Sequence, residues 1–224
     1  MVSAIVLAGG RGKRMGTIQS KQYIELNGRP ILYYTLKQFI NNELIDNIIL
    51  VVSEDEEEYC KSEVLNKYGL KVDKIALGGK ERQDSVYNAL SMAEGTDIVL
   101  IHDGARPFVS ERIISDAIKY AKIHKAAAPG VMPKDTIKVK DKENFSIDTP
   151  KRCDLVGVQT PQAFDFKMIY DCHKKVKEKG LVVTDDTMVA ELFGNKVYLY
   201  EGEYTNIKIT TLEDLILAEH LVKK

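Results

Sequence analysis

Apolar residues in this chain gather in short unbroken runs separated by stretches with helical spacing. Four runs, at Ala4 to Ala8, Ile45 to Val52, Val72 to Leu77 and Asp97 to His102, do not alternate with polar residues, so they predict strands buried on both faces. Between them the spacing changes to that of helices. Arg29-Pro30 opens one, with proline at the first helical position and Ile31, Leu32, Leu36, Phe39 and Ile40 on one side. A second, acidic helix over 55–68 reads as a solvated face without chemistry. A third, Glu81 to Ala93, presents Val86, Ala89, Leu90 and Ala93, and a fourth, capped by Ser110, presents Ile113, Ile114, Ala117, Ile118 and Ala121. Strand and helix alternating four times predict an α/β protein, with a mostly parallel sheet and helices on both faces.

Beyond Ala126 the pattern breaks. Thr136 to Lys140 and Phe145 to Asp148 read as short polar strands around a charged turn, a hairpin arm at about 133–157 with too little apolar content to form a core. Such an arm packs on something, often a second subunit. A helix from Asp165 to Glu178, a short one capped by Thr184-Asp185-Asp186, and strands at Lys196 to Tyr200 and Asn206 to Thr210 follow. Thr210-Thr211-Leu212-Glu213 predicts a capping box ahead of a last helix with Leu215, Ile216, Ala218 and Leu221 inward. With 224 residues, no repeat and no low-complexity linker, the expectation is one domain over 1–224 carrying the arm.

Charge changes this picture only locally. Lys and Arg number 32 against 33 Asp and Glu, a net charge of −1, so no global field draws the chain to nucleic acid or membrane. The apolar run before Gly9 is too short for a signal peptide or a membrane span. Cys60, Cys153 and Cys172 are odd in number and form no C-x-x-C, which fits reduced thiols in the cytoplasm rather than disulfides or a zinc site.

The stretch Ala4 to Lys21 departs from this even balance: the first strand stops at Gly9-Gly10, and Arg11, Lys13, Arg14 and Lys21 follow before any acidic residue, the first being Glu25. Bare backbone N–H groups at the carboxyl end of a strand, surrounded by cations, fit a polyanion such as a nucleoside triphosphate. The stretch is neither G-x-G-x-x-G, since Met15 holds the third glycine position, nor a P-loop. Gly78-Gly79 forms a second glycine stop, after which Arg82 and Ser85 either meet the same ligand or, for Ser85, cap the helix. Asp103 ends a central strand, placed either to hold Mg²⁺ bridging phosphate oxygens or to cap the turn Gly104-Ala105-Arg106. His102 has no partner at metal-ligand spacing and reads as packed.

Gly9 to Met15 with the lysine beyond resembles the loop of nucleotidyltransferases that join a nucleoside triphosphate to a sugar or polyol phosphate. AIVLAGGRGKRMG with SKQY, GGKERQDSV, HDGARPF, and VQTPQAF with TDD and NIKITTLEDL together are similar, across nearly the whole chain, to the 2-C-methyl-D-erythritol 4-phosphate cytidylyltransferases of isoprenoid precursor synthesis. The ribitol 5-phosphate cytidylyltransferases of teichoic acid synthesis share most of these stretches. The resemblance implies a Rossmann-like fold, a homodimer held partly by the arm, CTP, a polyol phosphate and Mg²⁺.

It further implies roles. Arg14 and Lys21 would stabilise the transition state. Ala8, Gly9, Gly10, Arg11, Gly12, Gly79, Arg82, Ser85, Asp103 and Gly104 would bind the nucleotide, with Asp103 also on the metal. Arg152 and Lys208 would position the polyol phosphate among Arg106, Thr136, Thr160 and Thr184 or Asp185, with Thr136 and Arg152 serving the neighbouring subunit. The departures are Ser20 where proline is frequent, Gly104 where alanine is common, expected to be harmless, and Thr205 where some members carry an acid, which removes a second carboxylate for the metal. Two alternatives stand beside this reading: the same transfer to ribitol 5-phosphate, and a non-catalytic nucleotide-binding protein.

Overall fold

The computed structural model describes residues 1–10 and 20–223, so Arg11, Gly12 and Arg14 lie outside the described residues. The first strand, β1 (Val2–Leu7), sits at the centre and is buried on both faces as its sequence predicts. Its side chains divide with the period of two: Ala4 and Val6 join one hydrophobic cluster, Ile5 the other. β2 (Glu25–Leu26) and β3 (Arg29–Pro30) form a small antiparallel hairpin, which takes Arg29-Pro30 out of the helix. Pro30, at φ −58° and ψ 145°, is therefore the cap of α1 (Ile31–Ile40) rather than its first helical residue. β4 (Asn47–Val52) follows.

The predicted acidic helix is less exposed than its charge suggests. A 3₁₀ turn at Glu54–Glu56, α2 (Glu57–Tyr59) and a π-type turn at Cys60–Asn66 wind onto the core through buried Cys60, Val64 and Leu65. Next come β5 (Lys74–Leu77), α3 (Arg82–Leu90), β6 (Ile98–Asp103) and α4 (Glu111–His124), whose cap is Ser110 with its hydroxyl accepting from the Ile113 N–H.

β7 (Ala126–Val131) was not legible, because Ala-Ala-Ala-Pro-Gly-Val is poor strand sequence. The arm contains β8 (Val139–Lys140) and β9 (Ser146–Asp148), exposed throughout. β10 (Gly157–Val158) and β11 (Gln162–Asp165) return to the sheet, followed by α5 (Phe166–Glu178), α6 (Asp186–Leu192), β12 (Tyr198–Glu201) and α7 (Leu212–Leu221). The predicted strand at 206–210 joins no ladder; a bond from the Ile209 N–H to the Ala105 carbonyl holds the segment instead. The capping box of α7 falls one residue later than expected, on Thr211 and Asp214, and Ile216 is 70 % exposed rather than inward.

The central sheet runs β5-β4-β1-β6-β11-β7, with β10 and β12 also on β7. β5, β4, β1 and β6 are parallel, β11 is antiparallel to both neighbours, and β12 is parallel to β7. α1 and α4 cover one face through Leu32, Leu36, Phe39, Ile113, Ile114 and Ala117. α3, α5 and α6 cover the other through Val86, Leu90, Ile169, Val176 and Val189. Among the described residues no helix is long and apolar enough to cross a membrane.

Candidate active site

The chain leaves β1 for β4 on one side and comes back to β6 on the other, so a crevice opens where β1 and β6 end, with Leu7 paired to Asp103. This is the position where open α/β sheets bind ligands. A cavity of about 850 Å³ occupies it, lined by Gly9, Gly10, Lys21, Gly79, Arg82, Ser85, Asp103 and Lys208. Residues far apart in sequence thus meet as expected.

Each is held by a local device. The Gln22 side chain donates to the Ala8 carbonyl at 2.5 Å, fixing the 3₁₀ turn Lys21–Tyr23 against the end of β1. The Gly79 N–H donates to Ser85 Oγ at 3.0 Å. Ser85 is therefore not the helix cap; that place is taken by Glu81, whose N–H reaches the Asp84 carboxylate at 3.0 Å. A Cβ on Gly79 would collide with Asp84, so this turn requires glycine. The Gly104 N–H bonds Leu7 O at 2.8 Å, and a Cβ there would lie 2.7 Å from that oxygen. In this chain, then, the glycine matters, against the expectation that the exchange with alanine is neutral.

Asp103 is the electrostatic centre. Its Oδ2 lies 2.8 Å from Lys208 Nζ and 3.6 Å from Arg106 Nε, and its Oδ1 lies 3.9 Å from Arg82 Nε. Burial alone would raise its pKa, but Lys208, then Arg82 and Arg106, hold the carboxyl well below the usual carboxylate range. His102 is fully buried between Thr160 Oγ1 at 3.0 Å and the Arg106 carbonyl at 3.1 Å, and burial pushes its pKa down to about 4. It is a packed, neutral histidine, as its spacing suggested.

Other expected site residues stand elsewhere. Thr160 supports the strand end, its Oγ1 accepting from the Asp103 N–H at 3.1 Å. Arg106 donates to the Asn206 carbonyl at 2.7 Å and so anchors the segment that carries Lys208. Asp185 caps α6, accepting from the Met188 N–H, Gln162 Nε2 and Thr187 Oγ1, and Thr184 beside it is exposed. Arg152 donates to Thr136 Oγ1 at 3.3 Å, so these two meet on the exposed arm, and neither lines the cavity. Sequence reading missed Ser53, Glu54 and Asp55, which form the wall beyond β4. The rule that picked out Asp103, a polar residue just after a parallel strand, would have found Ser53. It also missed Asp186, which accepts from Arg82 Nη2 at 2.7 Å.

Asp186 yields a pH prediction. Burial would raise its pKa, but Arg82 and His173 bring it from 3.8 to about 2. A depressed folded-state pKa stabilises the fold above the unfolded value and is lost below it, here a contribution of about 2 kcal/mol. Urea denaturation should show a constant stability gap between wild type and Asp186→Asn above about pH 5, narrowing as the pH falls from 3.8 toward about 2. A gap unchanged over that interval would contradict the assignment.

The donor set at Asp103 can be tested against a divalent cation. Among the described residues no cluster of three metal-ligating side chains exists. Magnesium, however, commonly takes one or two carboxylates and fills its remaining positions with phosphate oxygens and water. The ionised Asp103 carboxylate at a phosphate-sized cavity fits that mode. The cavity lining among the described residues includes no histidine or cysteine, and it brings Lys21, Lys80, Arg82 and Lys208 together with the glycine backbone at Gly9, Gly10, Gly78 and Gly79.

Fold and cavity together define an α/β protein of the Rossmann-like kind, with two glycine turns, Gly9-Gly10 and Gly78-Gly79, lining the cavity at the carboxyl ends of its parallel strands. The family model for IspD, 2-C-methyl-D-erythritol 4-phosphate cytidylyltransferase, matches residues 2–224. The chain belongs to that family. It is 73 % identical over 223 residues to the 2-C-methyl-D-erythritol 4-phosphate cytidylyltransferase of Clostridium beijerinckii, covering 100 % of this chain and 99 % of the relative. The Clostridium botulinum protein of the same name is 67 % identical over 224 residues, covering both chains fully. Among solved structures, the 4-diphosphocytidyl-2C-methyl-D-erythritol synthase of Anaerococcus prevotii superposes with a TM-score of 0.87 at 37 % identity, over 100 % of this chain and 96 % of that one.

Proposed function

We propose that this protein transfers CMP from CTP to 2-C-methyl-D-erythritol 4-phosphate, releasing pyrophosphate and 4-diphosphocytidyl-2-C-methyl-D-erythritol for isoprenoid synthesis. The observation that carries the site assignment is the ionised Asp103 carboxylate set among Lys208, Arg106 and Arg82, in the cavity that Gly9 and Gly10 also line. The acceptor's phosphate oxygen forms a bond to the α-phosphorus of CTP. The bond from that phosphorus to the bridging oxygen breaks, and pyrophosphate leaves with the electron pair.

The protein's part is to align the reactants and neutralise charge. The backbone at Gly9, Gly10 and Gly79 approaches the nucleotide, with Arg82 and Ser85 on the same wall. Lys21 meets charge growing on the α-phosphoryl oxygens, as does Arg14 in our reading. Lys208, with Arg106 behind it, receives the acceptor phosphate. A Mg²⁺ ion, which Asp103 would hold, supplies charge neutralisation across the triphosphate.

We further read the arm as the contact of a homodimer. Phe145 is 67 % and Ile147 63 % exposed, with Ile137 and Val139 beside them, too much apolar surface for a short solvated hairpin. Arg152 and Thr136 on this arm then face the partner's site. Phe145→Glu should convert a dimer in sedimentation equilibrium largely to monomer, and an unchanged dimer would remove this role. The free cysteines fit a cytoplasmic location.

Pyrophosphate release measured with CTP and Mg²⁺ tests the function, with methylerythritol 4-phosphate and ribitol 5-phosphate as parallel acceptors. Release with only the first is expected. Release with only ribitol phosphate would move the protein to another acceptor with the same chemistry.

A further inference from the structure

Asp186 lies outside every role assigned above except as a partner of Arg82. It is fully buried at the start of α6, although the cap of that helix is Asp185. Its Oδ2 accepts from Arg82 Nη2 at 2.7 Å, and its Oδ1 accepts from His173 Nε2 at 3.1 Å. His173, on α5, is 1 % exposed, and its Nδ1 has no hydrogen-bond partner among the described residues. The imidazole therefore spends its polar contact on Asp186. The Asp186 N–H is tied to Gln162 Oε1 at 3.0 Å, so the carboxylate's backbone is fixed as well.

Besides the stability that its depressed pKa implies, this buried pair fixes a geometry. Among the described residues Arg82 also has Asp103 at 3.9 Å and feels the charge of Asp185. Without Asp186 the guanidinium would be drawn toward Asp103 and away from the nucleotide wall.

We propose that Asp186, braced by His173, is a positioning residue that holds Arg82 on the nucleotide wall of the cavity and off Asp103. This rests on the cavity being the CTP site. The test is steady-state kinetics with CTP and the acceptor, with thermal melts to confirm folding and calorimetric titration of CTP. Asp186→Asn should raise the KM for CTP by about 10- to 100-fold, the range for a charge-assisted hydrogen bond, while kcat changes by less than about threefold. His173→Leu should raise that KM less, and His173→Gln, which can still donate to Asp186, should restore most of it. In an Arg82→Ala background, Asp186→Asn and His173→Leu should add no further rise, because each acts through Arg82.

An unchanged KM in Asp186→Asn, or effects that multiply with Arg82→Ala, would overturn the proposal. If Asp186→Asn does not fold, the two His173 variants in wild-type and Arg82→Ala backgrounds decide the same point. Wild type that neither binds CTP nor releases pyrophosphate would defeat the nucleotide reading itself, and this inference with it.

Discussion

Lys21→Ala is expected to lower kcat by about 10²- to 10⁴-fold, the range for removing one preorganised electrostatic stabiliser. The residue enters the cavity from a 3₁₀ turn whose next two residues, Gln22 and Tyr23, are buried, with Gln22 locked on the Ala8 carbonyl. The ammonium is thus delivered from a fixed backbone, and little reorganisation is needed as charge develops on the α-phosphoryl oxygens. An interaction that strengthens in the transition state appears in kcat more than in KM. Turnover by a folded Lys21→Ala protein within tenfold of wild type would contradict the role.

Lys208→Ala should cost about 10²- to 10³-fold in kcat/KM for the polyol phosphate, again the size of a lost electrostatic partner. Lys208 stands on the segment held by Ile209, which is fully buried and bonded to Ala105, and by the Arg106 contact to Asn206. Two effects combine. The acceptor phosphate loses a cation, and Asp103, whose strongest charge partner is Lys208, turns a less compensated negative charge toward it. Near-normal kcat/KM for the acceptor would contradict this placement.

The elements that carry the site were legible because their sequence signals are local. An apolar β-branched run ending in paired glycines marks β1 as far as Gly10, and DIVLIH followed by Asp103 marks β6. Their adjacency follows from the handedness and order of parallel crossovers. β7 and β11 were not legible, since Ala127 and Ala163 pair deep in the sheet, where tertiary burial rather than strand propensity decides. The segment at 206–210 alternates like a strand yet joins no ladder, and the Ile209 N–H bond to the Ala105 carbonyl holds it instead. The partnership of Arg82 with Asp186 spans 104 positions and depends on how α5 and α6 pack against α3, which no local pattern encodes. Of the residues placed by resemblance, Lys21, Gly79, Arg82, Ser85, Asp103 and Lys208 gather at one cavity, while Thr136, Arg152, Thr160, Thr184 and Asp185 do not line it.

The central claim is that the acceptor's own phosphate is the nucleophile and that the protein only aligns and neutralises. The stereochemical course at the α-phosphorus tests it most directly, using CTP made chiral there by sulfur substitution and reading the configuration of the product. The account predicts inversion from a single in-line displacement. Retention would reveal a covalent nucleotidyl-protein intermediate and contradict it.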